Sequence, residues 1–332
     1  PRRPHQMGNS LINSHLPSMF NSPINQAIER WVEAINRKCP DCVVKGRRVT
    51  LPNGFWFEIT TDLWALEVKT KPVSLEEFKN LQEPLQNLVW SAANQADVRP
   101  HDRLGGGHIH LDIESHFGKD RLAFRNFIVD LANRPELFMG AFGFNYFNAP
   151  PLALFGQEAL DGFKEVLHNF DTHPDLEIKD LMHEINHFYS TLKNPVVGGT
   201  SEKFHAVNLT HFDLGALGTV ELRGFRPQLN ALHTELLMEI FTGRIRELKK
   251  RRTPLLLNAP DYSKHFDSVK TSNGRVYKNT IPAKQILRTL VNFLKDSRIT
   301  LNAYDPFITE ELKDSLNTKS EALASLSCRS LL

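Results

Sequence analysis

Apolar side chains recur every three to four positions in several stretches of this chain, which is the spacing of amphipathic helices. The first of these helices is predicted to begin at Ser22-Pro23, where a capping hydroxyl precedes a proline at the first helical position. A long helix is predicted to open at Pro227 and to reach about residue 248. The same spacing predicts further helices over residues 74–93, 122–131, 157–169, 176–192 and 283–295.

Other stretches alternate apolar and polar residues, as half-buried β-strands do. These are residues 108–113, 204–212 and 219–225, together with β-prone runs over 43–71 that a Pro-Asn-Gly turn interrupts. Residues 139–151 and 258–279 are interpreted as loops that would line a substrate pocket. Strands interleaved with helices, without a Gly-rich nucleotide motif, predict an α+β fold rather than a Rossmann or P-loop fold.

The alternating strands carry acids or imidazoles on one face and aliphatic residues on the other, because residues two apart in a strand share a face. This pattern predicts one antiparallel sheet with a polar face. Carboxylates and imidazoles there would suit Mg²⁺ or Mn²⁺. An ordinary sheet that is wetted on one side alternates in the same way and stays an alternative. The polar members of the pattern are Glu58, Glu67, His108, His110, Asp112, Glu221 and Arg223.

Composition narrows the function classes. A net charge of +2 over 332 residues does not favour nucleic acid as a partner. No stretch approaches the roughly 20 apolar residues of a membrane-spanning helix. The three cysteines cannot build a disulfide framework, which favours a reducing, cytoplasmic location.

Cys39 and Cys42 have the spacing of a zinc half-site or redox motif, but they follow a helix and lack a second pair. They are interpreted as inert packing residues.

Three segments, met in this order along the chain, resemble the amidoligase family of the glutamine-synthetase-like carboxylate–amine ligases. Residues 62–72 resemble the family's hairpin with Asp, then Glu, then Pro. Residues 105–112 resemble its Gly-x-His-x-His strand. Residues 204–210 and 218–225 together resemble its Val-Asn-Leu and Gly-Thr-Val-Glu-Phe-Arg pattern. The resemblance implies an antiparallel, glutamine-synthetase-like sheet with a polar catalytic face, flanked by helices.

The resemblance also implies roles for individual residues, with ATP and Mg²⁺ (or Mn²⁺) as cofactors. His108 and Glu221 would be metal ligands. His110 would face the nucleotide phosphates, and Arg226 would lie on the nucleotide side as well. Arg223 would neutralise the phosphoryl group during transfer.

On the substrate side, Glu67 and Glu58 would supply carboxylates that complete the metal site, with Glu67 taking part in catalysis. Asn208 would orient the site. The implied reaction joins a carboxylate to an amine through an acyl phosphate, so that positioning and charge neutralisation dominate catalysis. The substrates would be small molecules, peptides or protein side chains, and the oligomeric state stays open.

One departure from the family concerns its opening strand, which carries Glu-x-Glu. The acids upstream of Asp41 are Glu29 and Glu33, and both fall in the first predicted helix. Either the strand around Glu58 replaces this element with one acid lost, or the segment is missing. The second hypothesis is therefore a non-catalytic relative that serves as a binding module.

A third hypothesis comes from His183-Glu184-Ile185-Asn186-His187, which matches the H-E-x-x-H motif of zinc hydrolases. The two histidines fall opposite the apolar stripe of their helix and are predicted to point away from the core. Glu202 or His205 would have to supply the third zinc ligand.

The predicted organisation is a flexible N-terminal segment over 1–21, a ligase core over 22–250, a C-terminal elaboration over 251–315, and a loose tail over 316–332. The basic run Lys249-Lys250-Arg251-Arg252 lies at the boundary between the predicted ligase core and the C-terminal elaboration. It is interpreted as the solvated C-terminal end of a helix, with a site for an acidic partner as the alternative.

Overall fold

The computed structural model describes residues 23–62, 65–100, 106–143, 149–193, 205–210, 218–271, 274–300 and 303. Helices and antiparallel sheets together confirm the α+β class. The chain folds into two units, one of Pro1–Pro100 with Leu229–Glu235 and a second of His101–Gln228 with Leu236–Leu332. The predicted segments 1–21 and 316–332 lie outside the described residues, and the predicted domain boundaries stay predictions.

The first unit combines helices with a four-stranded antiparallel meander in the order β1-β2-β3-β4. Its first helix begins at Pro23 as predicted, and Ile28, Trp31 and Ile35 are buried along one face. Ser74 and Glu77 form a capping box that starts the second helix. The elements are α1 (Pro23–Lys38), β1 (Val43–Lys45), β2 (Arg48–Thr50), β3 (Trp56–Asp62), β4 (Ala65–Thr70), α2 (Leu75–Leu85), a π-helical segment (Gln86–Ser91) and α3 (Ala92–Gln95).

A disulfide joins Cys39 and Cys42 directly after α1, so the interpretation of these cysteines as unbonded packing residues is wrong. The Cys42 N–H donates to the Cys39 carbonyl in a tight turn, and this turn brings the two Cα atoms to 5.3 Å. Such a separation suits a disulfide. Disulfides persist mainly in oxidising compartments and are transient in the cytosol, so the predicted cytoplasmic location stays a prediction.

The second unit contains the remaining elements, except for residues 231–235 at the start of the long helix, which belong to the first unit. Its helices follow the predicted periodicity within a few residues. The three-stranded antiparallel sheet has the order β5-β7-β6, and β8 pairs with β9 separately. The elements are β5 (Gly107–Asp112), α4 (Ile113–Phe117), α5 (Arg121–Ala132), 3₁₀ turns (Pro135–Leu137 and Leu152–Phe155), α6 (Gln157–Thr172), α7 (Ile178–Thr191), β6 (Val207–Asn208), β7 (Thr219–Phe225), α8 (Ala231–Leu248), β8 (Phe266–Thr271), β9 (Gly274–Asn279) and α9 (Ala283–Asp296).

Aromatic side chains form the centre of the second unit's core. Phe225, at the end of β7, contacts Phe142 and Phe241 with ring centroids 5.6 and 5.5 Å apart. Phe293 from α9 closes the group against Phe241 at 5.8 Å. These rings are fully buried and anchor the end of β7, the strand from which the polar side chains described below project.

Three predicted elements differ from the structure in their bounds or in their type. The long helix starts at Ala231 rather than at Pro227, because the Asn230 side chain accepts the hydrogen bond of the His233 N–H and caps the helix there. Residues 258–279, interpreted as a loop, contain the β8–β9 hairpin. Of the strand predicted over 204–212, residues 205–210 are described, and Val207–Asn208 form a strand among them; residues 204, 211 and 212 lie outside the described residues.

The prediction of a single polar sheet is wrong. Strands β3 and β4, which carry Glu58 and Glu67, belong to the four-stranded sheet. Strands β5 and β7, which carry His108 and Glu221, belong to the three-stranded sheet. Alternation shows which residues share a face of one strand, but strand pairing depends on long-range contacts that the local pattern does not encode. Within the described part of the chain, every helix is too short or too polar to cross a membrane.

Candidate functional site

Three strands bring polar side chains together around Glu221. In the register of the sheet, Glu221 on β7 lies directly opposite His110 on β5 and Asn208 on β6. Val207 and Ile109, one residue away on these neighbours, both pair with Leu222 and face the core. We call His108, His110, Asn208, Glu221 and Arg223 the Glu221 cluster.

A β-bulge shapes the cluster. Gly107 pairs with Phe225 and Ile109 with Leu222, so that Arg223 and Gly224 together stand opposite His108. A bulge re-aims the side chains beside it. A Cβ atom on Gly107 would lie 2.6 Å from the Arg226 carbonyl oxygen, so only glycine permits this close approach. Backbone packing thereby explains the glycine at position 107.

The Glu221 carboxylate is 2% exposed and is surrounded by donors. Its Oε1 lies 3.1 Å from Nδ1 of His108, and its Oε2 accepts a hydrogen bond of 2.5 Å from Nδ2 of Asn208. Nη1 of Arg223 lies 3.4 Å from both carboxylate oxygens. Residues from three strands therefore converge on one buried carboxylate.

These donors keep Glu221 ionised. Burial by itself raises the pKa of Glu221, but the hydrogen bond from His108, the charge of Arg223 and the hydrogen bond from Asn208 outweigh it. Together they hold this pKa well below the ordinary glutamate value. The group is a carboxylate at neutral pH, which is the form that binds a cation.

The other members of the cluster differ in exposure. Asn208 is fixed at both ends, since its Oδ1 accepts the Thr210 N–H at 3.0 Å while its amide holds Glu221. The His110 side chain is 46% exposed, with Nε2 3.7 Å from the Glu221 Oε1. Arg226, just beyond β7, is 6% exposed. A ligand in solvent would meet His110 first.

Thr219 also belongs to this surface, although it was not among the predicted site residues. Its hydroxyl lies 3.1 Å from Nδ1 of His110 and so orients the exposed imidazole. The signal was present in the sequence, because Thr219, Glu221 and Arg223 alternate along one strand.

Three predicted polar residues have other partners. Asp112 ends β5 and caps α4, with its carboxylate accepting hydrogen bonds from the N–H and hydroxyl of Ser115. Glu58 forms an ion pair of 2.9 Å with Arg48 on the neighbouring strand. Glu67 accepts a hydrogen bond from Thr60 and lies 3.4 Å from the Lys69 ammonium. Glu58 and Glu67 thus have partners within their own sheet and are not members of the Glu221 cluster.

Part of the cluster fits a divalent ion. Two ligands that share an octahedral ion at about 2.1 Å stand roughly 3 Å apart. His108 and Glu221 are 3.1 Å apart in a hydrogen bond, so an ion that displaces the Nδ1 proton of His108 would be within reach of both atoms. Across the described residues, no group of three or more His, Cys, Asp or Glu side chains is placed to hold a metal. Mg²⁺ usually takes further ligands from water and substrate phosphates. The pair therefore suits an ion that is held jointly with a substrate.

The H-E-x-x-H motif lies on α7 with His183 and His187 exposed, which confirms their predicted orientation. Glu184 accepts a hydrogen bond of 2.8 Å from the Asn169 side chain on α6. His205, a proposed third ligand, instead stacks on Tyr189 at 3.9 Å and is 3% exposed. Glu202 lies outside the described residues. The described geometry thus gives this motif no third zinc ligand.

The buried His205 leads to a prediction about how the free energy of unfolding depends on pH. Burial between Tyr189 and Phe155 lowers the pKa of His205 to about 3, against a smaller opposing effect of the Tyr189 backbone. The unfolded chain takes up a proton near pH 6.5, whereas the folded chain does not, so stability is full above that pH and falls below it. We expect the wild type to lose about 2 kcal/mol between pH 7 and pH 5 through this group.

The variant His205→Phe keeps the ring stacking and has no titratable nitrogen. Urea unfolding at pH 7 and pH 5 would measure both proteins. We expect the variant to lose about 2 kcal/mol less than the wild type over this interval. Equal losses in the two proteins would contradict the prediction.

Comparison with known proteins returned no matching family model, no matching curated protein and no matching solved structure.

Proposed function

We propose that this chain is an ATP- and Mg²⁺-dependent carboxylate–amine ligase that forms an amide bond through an acyl phosphate. The observation that supports the proposal best is the convergence of His108 and Glu221, which are 113 positions apart in the sequence and whose side chains lie 3.1 Å apart. The sequence resemblance assigned a shared ion to these same two residues.

His108 and Glu221 would hold the divalent ion. When bound, this ion supplies positive charge beside the phosphate oxygens of the nucleotide. Glu221 is suited to the task because it is ionised, buried and held in one orientation by Asn208. A ligand whose position is already fixed loses little conformational entropy on binding.

Arg223 is the cation of the cluster, and its guanidinium group has a planar fork of donors that matches phosphate or carboxylate oxygens. Its side chain is 14% exposed and lies beside Glu221, so it keeps one edge near solvent. Arg223 would bind the phosphoryl group and neutralise its charge. His110, the more exposed imidazole, would donate to the nucleotide phosphates.

The substrate side of the proposal concerns Glu58 and Glu67. Glu58 and Glu67 form ion pairs within their own sheet, and the proposal needs neither of them as a metal ligand. Their role as substrate-side carboxylates stays a prediction, as does a nucleotide role for Arg226. The cluster itself contains no serine or cysteine nucleophile, which accords with a reaction that depends on positioning and charge.

Calorimetric titration with ATP, with and without Mg²⁺, tests the proposal. We expect saturable binding that requires Mg²⁺ in the wild type and a roughly 10- to 100-fold weaker affinity in His108→Ala, because the ion loses a ligand. His183→Ala is the matched control, since it removes an exposed imidazole on α7 outside the cluster. Its affinity should equal that of the wild type.

The chemical step can be followed with hydroxylamine as the amine, which converts an acyl phosphate into a hydroxamate. A panel of carboxylic acids with Mg²⁺–ATP should yield hydroxamate and ADP for at least one acid. If Mg²⁺–ATP binds but no acid supports ADP formation, the non-catalytic hypothesis replaces the ligase. If Mg²⁺–ATP does not bind, the ligase is excluded for this cluster, and the non-catalytic binding module stays a hypothesis.

A further inference from the structure

A second polar site lies in the second unit, where the C-terminal ends of α8 and α9 meet. An open cavity of about 330 Å³ is found there. We call it the basic cleft. Its lining residues are Arg244, Glu247, Leu248, Arg251, Lys295, Asp296 and Arg298.

The cleft carries a surplus of positive charge. Four of its side chains are cations, against the two carboxylates of Glu247 and Asp296. Among the described residues, Arg251 and Lys295 form no ion pair with a carboxylate. A helix C-terminus is equivalent to about half a negative charge, so two helix ends offset only part of this surplus.

The floor of the cleft is rigid. Arg244 is 8% exposed, and Asp130 on α5 holds its guanidinium group through two hydrogen bonds of 2.8 and 2.5 Å. A Cβ atom on Gly243 would clash with the Ser297 carbonyl oxygen, so glycine allows α8 to approach the end of α9 closely. The two helix ends that form the cleft are thereby fixed to each other.

Arg298 has an unusual backbone conformation. It follows α9 with φ at +64°, the left-handed region where glycine is favoured after a helix. The last carbonyls of α9 already accept backbone N–H groups, including those of Arg298 and Ile299. These two bonds form a Schellman motif, in which Arg298 occupies the position that glycine usually takes, so glycine there would keep the helix end intact. The Arg298 side chain is 76% exposed, and its Nε lies 3.5 Å from the Glu247 carboxylate in the same cleft.

We propose that the basic cleft binds the phosphate group of a small anionic ligand. A phosphate monoester carries close to two negative charges at neutral pH, which matches Arg251 and Lys295, the two cations of the cleft that form no ion pair among the described residues. Guanidinium forks bind phosphate oxygens in pairs, and Arg251 and Arg298 supply two such forks at the rim. The site is independent of the proposed ligase chemistry, because it shares no residue with the Glu221 cluster.

The test is calorimetric titration of the full chain with inorganic phosphate and with glycerol phosphate at constant ionic strength. We expect saturable binding of both in the wild type. Arg298→Gly should weaken this binding about tenfold, the loss of one charge-assisted contact. It should also leave the melting temperature unchanged or higher, because glycine relieves the left-handed strain.

Two further proteins complete the design. The double variant Arg251→Gln, Lys295→Gln removes two cations of the cleft and should also weaken phosphate binding. Arg288→Gln, on the exposed face of α9 outside the cleft, is the matched control and should bind as the wild type does. Equal affinity in all four proteins, or no saturable binding in the wild type, would overturn the proposal.

Phosphate could reach the cleft on a free metabolite or on a lipid headgroup, and vesicles distinguish these sources. If vesicles of phosphatidylcholine with phosphatidic acid bind the wild type more tightly than glycerol phosphate does, with the same loss in Arg298→Gly, the source is a lipid. If glycerol phosphate binds and the vesicles do not, the source is a soluble phosphate ester.

Discussion

Glu221→Gln is expected to abolish product formation almost completely, with a loss of about 10²–10³-fold in the rate of ADP release. The substitution keeps the shape of the side chain and removes the charge on which His108, Asn208 and Arg223 converge. The measurement is ADP release with the acid and hydroxylamine pair that supports turnover in the wild type.

Metal-free ATP provides the sharpest control for this prediction. Because Glu221 is a buried anion beside Arg223, its neutralisation should leave the binding of ATP without Mg²⁺ unchanged or somewhat stronger. Binding of Mg²⁺–ATP should weaken. If Glu221→Gln lowers both affinities equally, Glu221 acts through the fold and is not a metal ligand; circular dichroism of the variant would then show the structural change.

Asp130→Ala is expected to destabilise the second unit by about 3–5 kcal/mol, the typical cost of leaving a buried charge uncompensated. Asp130 is 3% exposed and pairs with Arg244 on α8 and with Arg134, four residues further along the chain. Its removal leaves the guanidinium group of Arg244 buried, with the Asp296 carboxylate at 3.9 Å as its remaining acidic partner among the described residues. Urea unfolding, followed by the loss of helical circular dichroism, measures the change.

A double-mutant cycle separates this cause from a simple loss of contacts. Adding Arg244→Met to Asp130→Ala removes the stranded charge and should restore part of the stability. Strictly additive losses would contradict the explanation. Asp161→Ala is the control, because Asp161 also pairs with a cation, Lys164, but on an exposed surface of α6, where no measurable change is expected.

Local patterns in the sequence predicted most of the secondary structure. The helix at Pro23, the helix over Arg121–Ala132 and the strand over Thr219–Phe225 occur where periodicity and capping residues placed them. These signals depend on neighbours within a few positions, and a single sequence contains them. The helix start at Ala231 was missed because Asn230, rather than the more conspicuous Pro227, provides the cap.

The candidate site was predicted in part. His108, His110, Asn208, Glu221 and Arg223 were chosen from alternation and from the family resemblance, and the structure brings these five together. The same reasoning grouped Glu58 and Glu67 with them, and the structure places those two in another sheet. Alternation is identical in both sheets, so it could not separate them.

The disulfide and the basic cleft also depend on contacts that could not be predicted from the sequence. The spacing of Cys39 and Cys42 was visible, but their bonding depends on a turn that follows α1. The basic run after residue 248 was also visible, and the sequence left its role open. Only the structure adds Lys295 and Arg298, at the end of α9 and just beyond it, to the same cleft.

The sequence by itself determined the positions of helices and strands, the α+β class, and the faces on which acids and imidazoles lie. The tertiary structure decided which strands pair, that Glu221 is buried among three donors, and that two helix ends share a cleft. The reason is the range of the interactions involved. Periodicity and capping act within one or two turns of the chain, whereas strand pairing and charge clusters join residues that are distant in the sequence, and one sequence does not record those contacts.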